Sequence, residues 1–279
     1  MARRDEGFFS AKDNLRLFWE TTFPEGEPRA HVGVVHGYGD HAGRYRGVID
    51  ALAAQGFTVH AFDYRGHGQA DGRRGFCDSF GDLIEDLALF WQRVRAAAGS
   101  KKSFLLTHSN GALMALKWVE TGGGQGLDGL ICSAPYLKLA ITPPATKLMA
   151  AKLVNRVMPW MPLKTELTSQ DLTRDEAIQQ QTDKDPLYNR IVTPRWFVES
   201  TRVQLEVLKD AANVTVPLFV LGGDADPVAA PAAVRAFYES AGAKDKRFKA
   251  YPGMRHEPLS ELGREEVYRD IGGWISEHL

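Results

Sequence analysis

Two cysteines in 279 residues, Cys77 and Cys132, are too few for a disulfide framework and lack zinc-ligand spacing. Cys132 lies inside an apolar run and reads as a small core residue. Long apolar runs are also missing: no stretch approaches the roughly 18 residues that cross a bilayer. The opening Met1-Ala2-Arg3-Arg4-Asp5-Glu6-Gly7 is charged and lacks the apolar core of a secretory signal. The expected location is therefore cytoplasmic, with peripheral membrane contact left open. Charge of one sign is absent as well. With 34 basic and 35 acidic side chains the formal net charge is −1, which gives no electrostatic case for nucleic acid as a partner. No internal repeat is evident.

What is present fits a folded domain. Apolar residues make up 44% and charged residues 25%, an ordinary globular balance, and the length suits one α/β core with or without an insertion. Residues 7–23 alternate apolar and polar side chains, which predicts an antiparallel hairpin at a sheet edge. Strand-length, largely apolar stretches follow at Val32–Val35, Phe57–Phe62, Phe104–Leu106, Leu127–Cys132, Leu218–Leu221 and Phe248–Tyr251. Helical spacing lies between them, as at Leu83, Leu87, Phe90 and Val94. Buried strands alternating with helices imply a mostly parallel sheet covered on both faces.

The interval 136–193 breaks that rhythm. It holds no good strand, and Thr142-Pro143-Pro144 resembles a helix start with threonine as N-cap. Leu148, Met149, Leu153, Val157, Met158 and Trp160 follow. Its position after a core strand places it near the ligand-binding edge of an open α/β sheet. The expectation is a helical cap (136–193) inserted in a core formed by 1–135 and 194–279, lining the site with apolar side chains.

Three loops carry candidate chemistry. Phe104-Leu105-Leu106-Thr107-His108-Ser109-Asn110-Gly111 is strand, turn and helix in succession, the setting that exposes a serine nucleophile, here Ser109. A serine needs a base, a group to orient that base, and donors for an oxyanion. Gly223-Asp224-Ala225-Asp226 and Pro252-Gly253-Met254-Arg255-His256 supply an acid and a base in the order Ser, Asp, His. Asp226 is the preferred acid, with Asp224 the fallback. The expected oxyanion donors are the backbone N–H groups of Tyr38, in the glycine-flanked turn after Val35, and of Asn110. The remaining histidines match no metal pattern. His36, His67 and His108 are expected to hydrogen-bond among the loops, and neither metal nor cofactor is expected.

The string His36-Gly37-Tyr38-Gly39-Asp40-His41-Ala42-Gly43-Arg44-Tyr45 resembles the H-G-x-G-E-H-x-x-R-Y turn of monoacylglycerol lipases and related lysophospholipases. Asp63-Tyr64-Arg65-Gly66-His67-Gly68-Gln69 is similar to their D-x-R-G-H-G-x-S loop, with Ala70 in place of the serine. Asp185-Pro186-Leu187, Thr193 and Trp196 resemble the end of their cap. The resemblance implies an α/β-hydrolase fold with a helical cap and a cofactor-free triad of Ser109, Asp226 and His256, with Tyr38 and Asn110 as oxyanion donors. It also implies esterase action on lipid monoesters, with a small-molecule ester as partner and membrane or micelle contact through the cap. The alternatives are an esterase or thioesterase for a small non-lipid substrate, prompted by Asn110, and a ligand-binding protein without turnover. The elbow departs from the family's G-H-S-M-G-G at Thr107 and Asn110.

Overall fold

The apolar runs become neighbours in one twisted sheet. In chain order the strands are β1 (Arg4–Ser10), β2 (Arg16–Thr22), β3 (Ala30–Val35), β4 (Phe57–Phe62), β5 (Ser103–His108), β6 (Gly129–Ser133), β7 (Leu163–Lys164), β8 (Ile191–Val192), β9 (Leu218–Gly223) and β10 (Lys246–Tyr251). The helices are α1 (Arg46–Ala54), α2 (Phe80–Ala98), α3 (Asn110–Glu120), α4 (Ala145–Val157), α5 (Ser169–Leu172), α6 (Glu176–Lys184), α7 (Pro194–Lys209), α8 (Pro231–Ser240) and α9 (Arg264–Glu277). This computed structural model describes residues 3–279, so Met1 and Ala2 of the charged opening lie outside the described residues.

Eight strands pair in the order β1-β2-β4-β3-β5-β6-β9-β10. From β4 to β10 all neighbours are parallel. The β1–β2 hairpin is antiparallel and adds to β4 antiparallel, with β1 at the edge. Every position of β3, β4, β5 and β6 is buried, which is why these segments are rich in apolar residues on both faces rather than alternating. Alternation along each strand feeds two cores: Phe104 and Leu106 meet Ile49 of α1 and Trp274 of α9, while Leu105 meets Phe90 of α2 and Leu113 of α3. The fold is thus α/β, a mostly parallel sheet with helices on both faces.

Between β6 and α7 the chain leaves the sheet to form α4, α5, α6 and the two-residue β7–β8 pair. Two expectations need correction here. Thr142 is not the N-cap of α4, because the helix begins at Ala145 after an extended Pro144 and has no side-chain cap. Its apolar side chains also do not line the interior. α4 has no buried residue, and Met149 (71% exposed), Leu153 and Val157 face outward. The helix leans on α7 along one face only, where Arg195 Nε donates to Asn155 Oδ1 at 2.8 Å.

Parallel strands point their C-terminal ends one way. The turns after β3, β5, β9 and β10 therefore share one edge of the sheet, and they carry Tyr38, Ser109, Asp226 and His256.

Candidate active site

Ser109 is the single residue between β5 and α3. Its φ of 50° and ψ of −115° place a non-glycine residue in a sparsely populated region. The surroundings hold it there. Its N–H donates to the Ser133 carbonyl at 3.0 Å, and its own carbonyl accepts from Ala112, Leu113 and Tyr136 N–H, each at 3.1 Å. Gly111 is required on the helix side, since a Cβ there would lie 2.5 Å from the His36 carbonyl oxygen. Thr107 is accommodated because it remains a strand residue, fully buried, with Oγ1 donating to the Ile131 carbonyl at 2.8 Å.

His256 Nε2 lies 2.9 Å from Ser109 Oγ, and His256 Nδ1 lies 2.8 Å from Asp226 Oδ2. With Nδ1–H donating to the carboxylate, Nε2 is free to accept the serine proton. The other Asp226 oxygen accepts from Val228 N–H at 2.7 Å and Ala229 N–H at 3.0 Å, which locks the carboxylate plane. Ser109, Asp226 and His256 are each at least nine-tenths buried. Burial alone would lower the His256 pKa, but the adjoining Asp226 charge and hydrogen bond raise it above 6.5. Asp224, the fallback acid, is exposed and instead accepts from Gly253 N–H at 2.6 Å.

The N–H groups of Tyr38 and Asn110 have no backbone acceptor among the described residues. Asn110 opens α3, where the first N–H groups have no intrahelical partner. The Gly37–Tyr38 peptide is held through its oxygen: the Gly37 carbonyl accepts from His36 Nδ1–H at 2.7 Å and from the Tyr64 hydroxyl at 2.8 Å. The Tyr38 ring is committed elsewhere. It stacks on Trp196 with centroids 3.7 Å apart, and its hydroxyl donates to the Gly75 and Ile191 carbonyls. Asn110 turns its amide inward, with Nδ2 donating to the Tyr64 hydroxyl at 3.2 Å.

His36 and His67 bond the loop carbonyls of Gly37 and Arg65 through Nδ1, and His108 Nδ1 bonds the carbonyl of Ser133 at the end of β6. Burial pushes His36 and His108 down to about 3, so both are neutral near pH 7. Asp63 accepts from Ala42 and Gln69 N–H, joining the two motif loops. Cys132 is free, fully buried, and its thiol is pushed up to about 12 by burial.

The sequence reading missed a charged cluster beside His256. Arg44 Nε lies 2.8 Å from Asp40 Oδ1, and its Nη2 lies 2.7 Å from Glu257 Oε2. The same guanidinium reaches Thr182 Oγ1 and stands over the Tyr188 ring, both in the inserted segment. Asp40, Arg44 and Glu257, with Tyr45 and His108, line a cavity of about 10 Å³, roughly one water in size. The adjacency of Glu257 to His256 was the available signal. Next to this cluster, His41 Nε2 meets Asp185 Oδ2 at 2.8 Å and Asn189 N–H donates to the Gly39 carbonyl at 2.6 Å.

Fold and site place the chain among the α/β-hydrolases of serine-hydrolase type. The family described as "Serine aminopeptidase, S33" matches residues 26–263, and the chain belongs to it. Human monoglyceride lipase is 30% identical over 270 residues, covering 95% of this chain and 88% of its own length. The crystal structure of Paleococcus ferrophilus monoacylglycerol lipase matches with a TM-score of 0.82 at 27% identity, covering 100% of both chains. An uncharacterised abhydrolase domain-containing protein of Dictyostelium discoideum is 28% identical over 97% of this chain, which spans 28% of that protein's length. The chain is a carboxylic ester hydrolase.

Proposed function

We propose that the chain hydrolyses lipid monoesters of the monoacylglycerol or lysophospholipid type, with Ser109 as nucleophile, His256 as base and Asp226 as its orienting acid. The observation that carries this reading is the unbroken chain from Ser109 Oγ to His256 (2.9 Å) to Asp226 (2.8 Å). Ser109 Oγ attacks the ester carbonyl while its proton passes to His256 Nε2. The oxyanion settles against the Tyr38 and Asn110 N–H groups, each worth roughly 3 kcal/mol in such a site. The alcohol leaves with the proton held by His256, and water then repeats the sequence on the acyl-enzyme. The similarity to the human monoglyceride lipase and the Paleococcus monoacylglycerol lipase supports the lipid substrate. Asn110, which prompted the non-lipid alternative, engages Tyr64 through its amide nitrogen instead.

The segment 136–193 acts as the cap. The outward Met149, Leu153, Val157 and Trp160 side chains form the surface through which it meets a micelle or membrane. The chain works in the cytoplasm, peripheral to lipid. Among the described residues no helix is long and apolar enough to cross a membrane.

The test is hydrolysis of p-nitrophenyl esters of increasing chain length and of monoacylglycerols, with Ser109→Ala as control. Activity that rises with chain length and vanishes in Ser109→Ala is expected. Wild type and Ser109→Ala equally inactive overturns the nucleophile assignment, and an optimum at the shortest acyl groups overturns the lipid assignment.

A further inference from the structure

A second cavity, of about 240 Å³, opens at the opposite end of the sheet. His31 and Thr58 line it from the N-terminal ends of β3 and β4, whereas Ser109 follows the C-terminal end of β5. Trp19, Phe23 and Phe90 supply aromatic walls, and Arg93 of α2 completes the lining. The volume lies just below the range of small-ligand pockets, about 300–1,000 Å³.

Its polar groups form an ordered chain with a free end. Thr21 Oγ1 meets His60 Nδ1 at 2.9 Å, and His60 Nε2 meets His31 Nδ1 at 2.9 Å. His31 is only 5% exposed, and its Nε2 has no protein partner among the described residues. When the threonine hydroxyl donates into the chain, each imidazole passes a hydrogen on and His31 Nε2–H becomes a donor. Burial, with help from Lys101 and Arg95, lowers the His31 pKa to about 4; burial, with help from His31 and Arg93, lowers that of His60 to about 3. Both rings are therefore neutral near pH 7.

The charge balance is one-sided. The Arg93 guanidinium stands 4.2 Å from the Trp19 ring centroid and pairs with no carboxylate among the described residues. Of the two acids at the cavity, the exposed Asp5 meets Arg3 at 3.5 Å, and Glu20 meets Arg46 through Oε2 at 2.5 Å while its Oε1 has no partner. One unpaired cation and one neutral donor suit a monoanion, whereas a phosphate dianion would keep a charge uncompensated.

We propose that this cavity is a binding site for a small aromatic carboxylate, with its ring between Trp19, Phe23 and Phe90 and its carboxylate on Arg93 and His31 Nε2–H. The site is independent of the ester-hydrolysing one, and occupancy at either is read separately.

Benzoate is the probe, titrated into the whole chain and followed by NMR at the Trp19 indole and the His31, His60 and His256 imidazoles. Saturable shifts at Trp19 and His31 are expected, about tenfold or more weaker in Arg93→Ala and Arg93→Met, and absent with the uncharged analogue benzamide. Arg93 is exposed and makes no ion pair, so both variants keep the fold, and their esterase activity should equal wild type. Shifts confined to His256, equal affinity in the Arg93 variants, or no shift at about 10 mM benzoate each overturn the proposal.

Discussion

The Tyr64 hydroxyl donates to the Gly37 carbonyl at 2.8 Å, and so acts on the peptide unit whose N–H belongs to Tyr38. The same hydroxyl accepts from Asn110 Nδ2 at 3.2 Å, so one buried phenol touches both segments proposed to bind the oxyanion. His36 Nδ1–H is the second donor to that carbonyl. Tyr64→Phe therefore removes one of two restraints on the peptide plane and leaves the Asn110 amide underbonded. We expect kcat to fall about tenfold with KM nearly unchanged, less than the roughly 3 kcal/mol of a lost oxyanion donor. Steady-state kinetics on a soluble ester checks the split, and a change in KM alone would contradict it.

The pH dependence follows from opposed histidine shifts. In the proposed role of base His256 must be neutral, so kcat/KM should rise with pH through a value above 6.5. In Asp226→Asn the burial cost persists without the compensating charge, so this limb moves to lower pH. The rate itself should drop by about 10⁴-fold, as when the triad acid of a serine protease is neutralised. A pH–rate profile of both proteins decides it.

Stability takes the opposite course at His256. Its raised pKa contributes stability that is present below 6.5 and lost as pH rises through the folded value. His31 (about 4) and His36, His60 and His108 (each about 3) carry lowered values, so below 6.5 the unfolded chain binds their protons first. His67 is lowered as well, so five histidines against one predict a loss of histidine-linked stability as pH falls from about 6.5 to about 4, opposed in part by the buried Asp63 carboxyl, which burial raises to about 6. Thermal melts across that window should show a falling midpoint, and replacing the partly accessible His31 with glutamine should flatten the slope.

The central strands were legible because two-sided burial writes itself as apolar runs, as in Val32–Val35 and Leu218–Leu221, whereas their order in the sheet leaves no such mark. The loops that carry Ser109 and Asp226 were legible for the same reason, each following such a run, while the His256 loop follows the half-exposed edge strand β10 and was marked by its Pro-Gly turn. The character of α4 was not. Met149, Leu153 and Val157 look like core residues at helical spacing, and only tertiary placement turns them outward. The partners of Arg44 were hidden too. Asp40 lies in the same turn, but Thr182 and Glu257 are 138 and 213 residues away, and such contacts leave no period in the chain.

Thr107 offers a direct test of the elbow's departure from glycine. Thr107→Gly restores the family residue but removes the bond to the Ile131 carbonyl and a buried side chain from β5. We expect a loss of about 1–2 kcal/mol in stability with kcat/KM within about threefold, since the backbone at Ser109 is held by other bonds. Denaturant unfolding and ester kinetics on the same preparation separate the two. A large gain in rate would mean that threonine distorts the turn.

Glu261 is the remaining hub, and neither motif nor spacing pointed to it. Fully buried, its carboxylate accepts from Arg174 N–H at 3.0 and 3.1 Å, from Arg255 N–H at 3.1 Å and from Leu262 N–H at 2.8 Å. It thereby fastens the start of the α6 region to the loop that carries His256, reinforced by Glu257 N–H donating to the Leu172 carbonyl at 2.8 Å. In Glu261→Gln the charge is lost and one acceptor oxygen becomes an NH₂ facing backbone donors. Leaving such donors unmatched costs about 1–3 kcal/mol each, so a stability loss of that order is expected. If the clasp also positions the base, kcat should fall while the acid limb of the pH–rate profile stays in place, because the charge beside His256 is Asp226 and not Glu261. A fall in melting temperature with kcat unaltered would restrict Glu261 to a structural part.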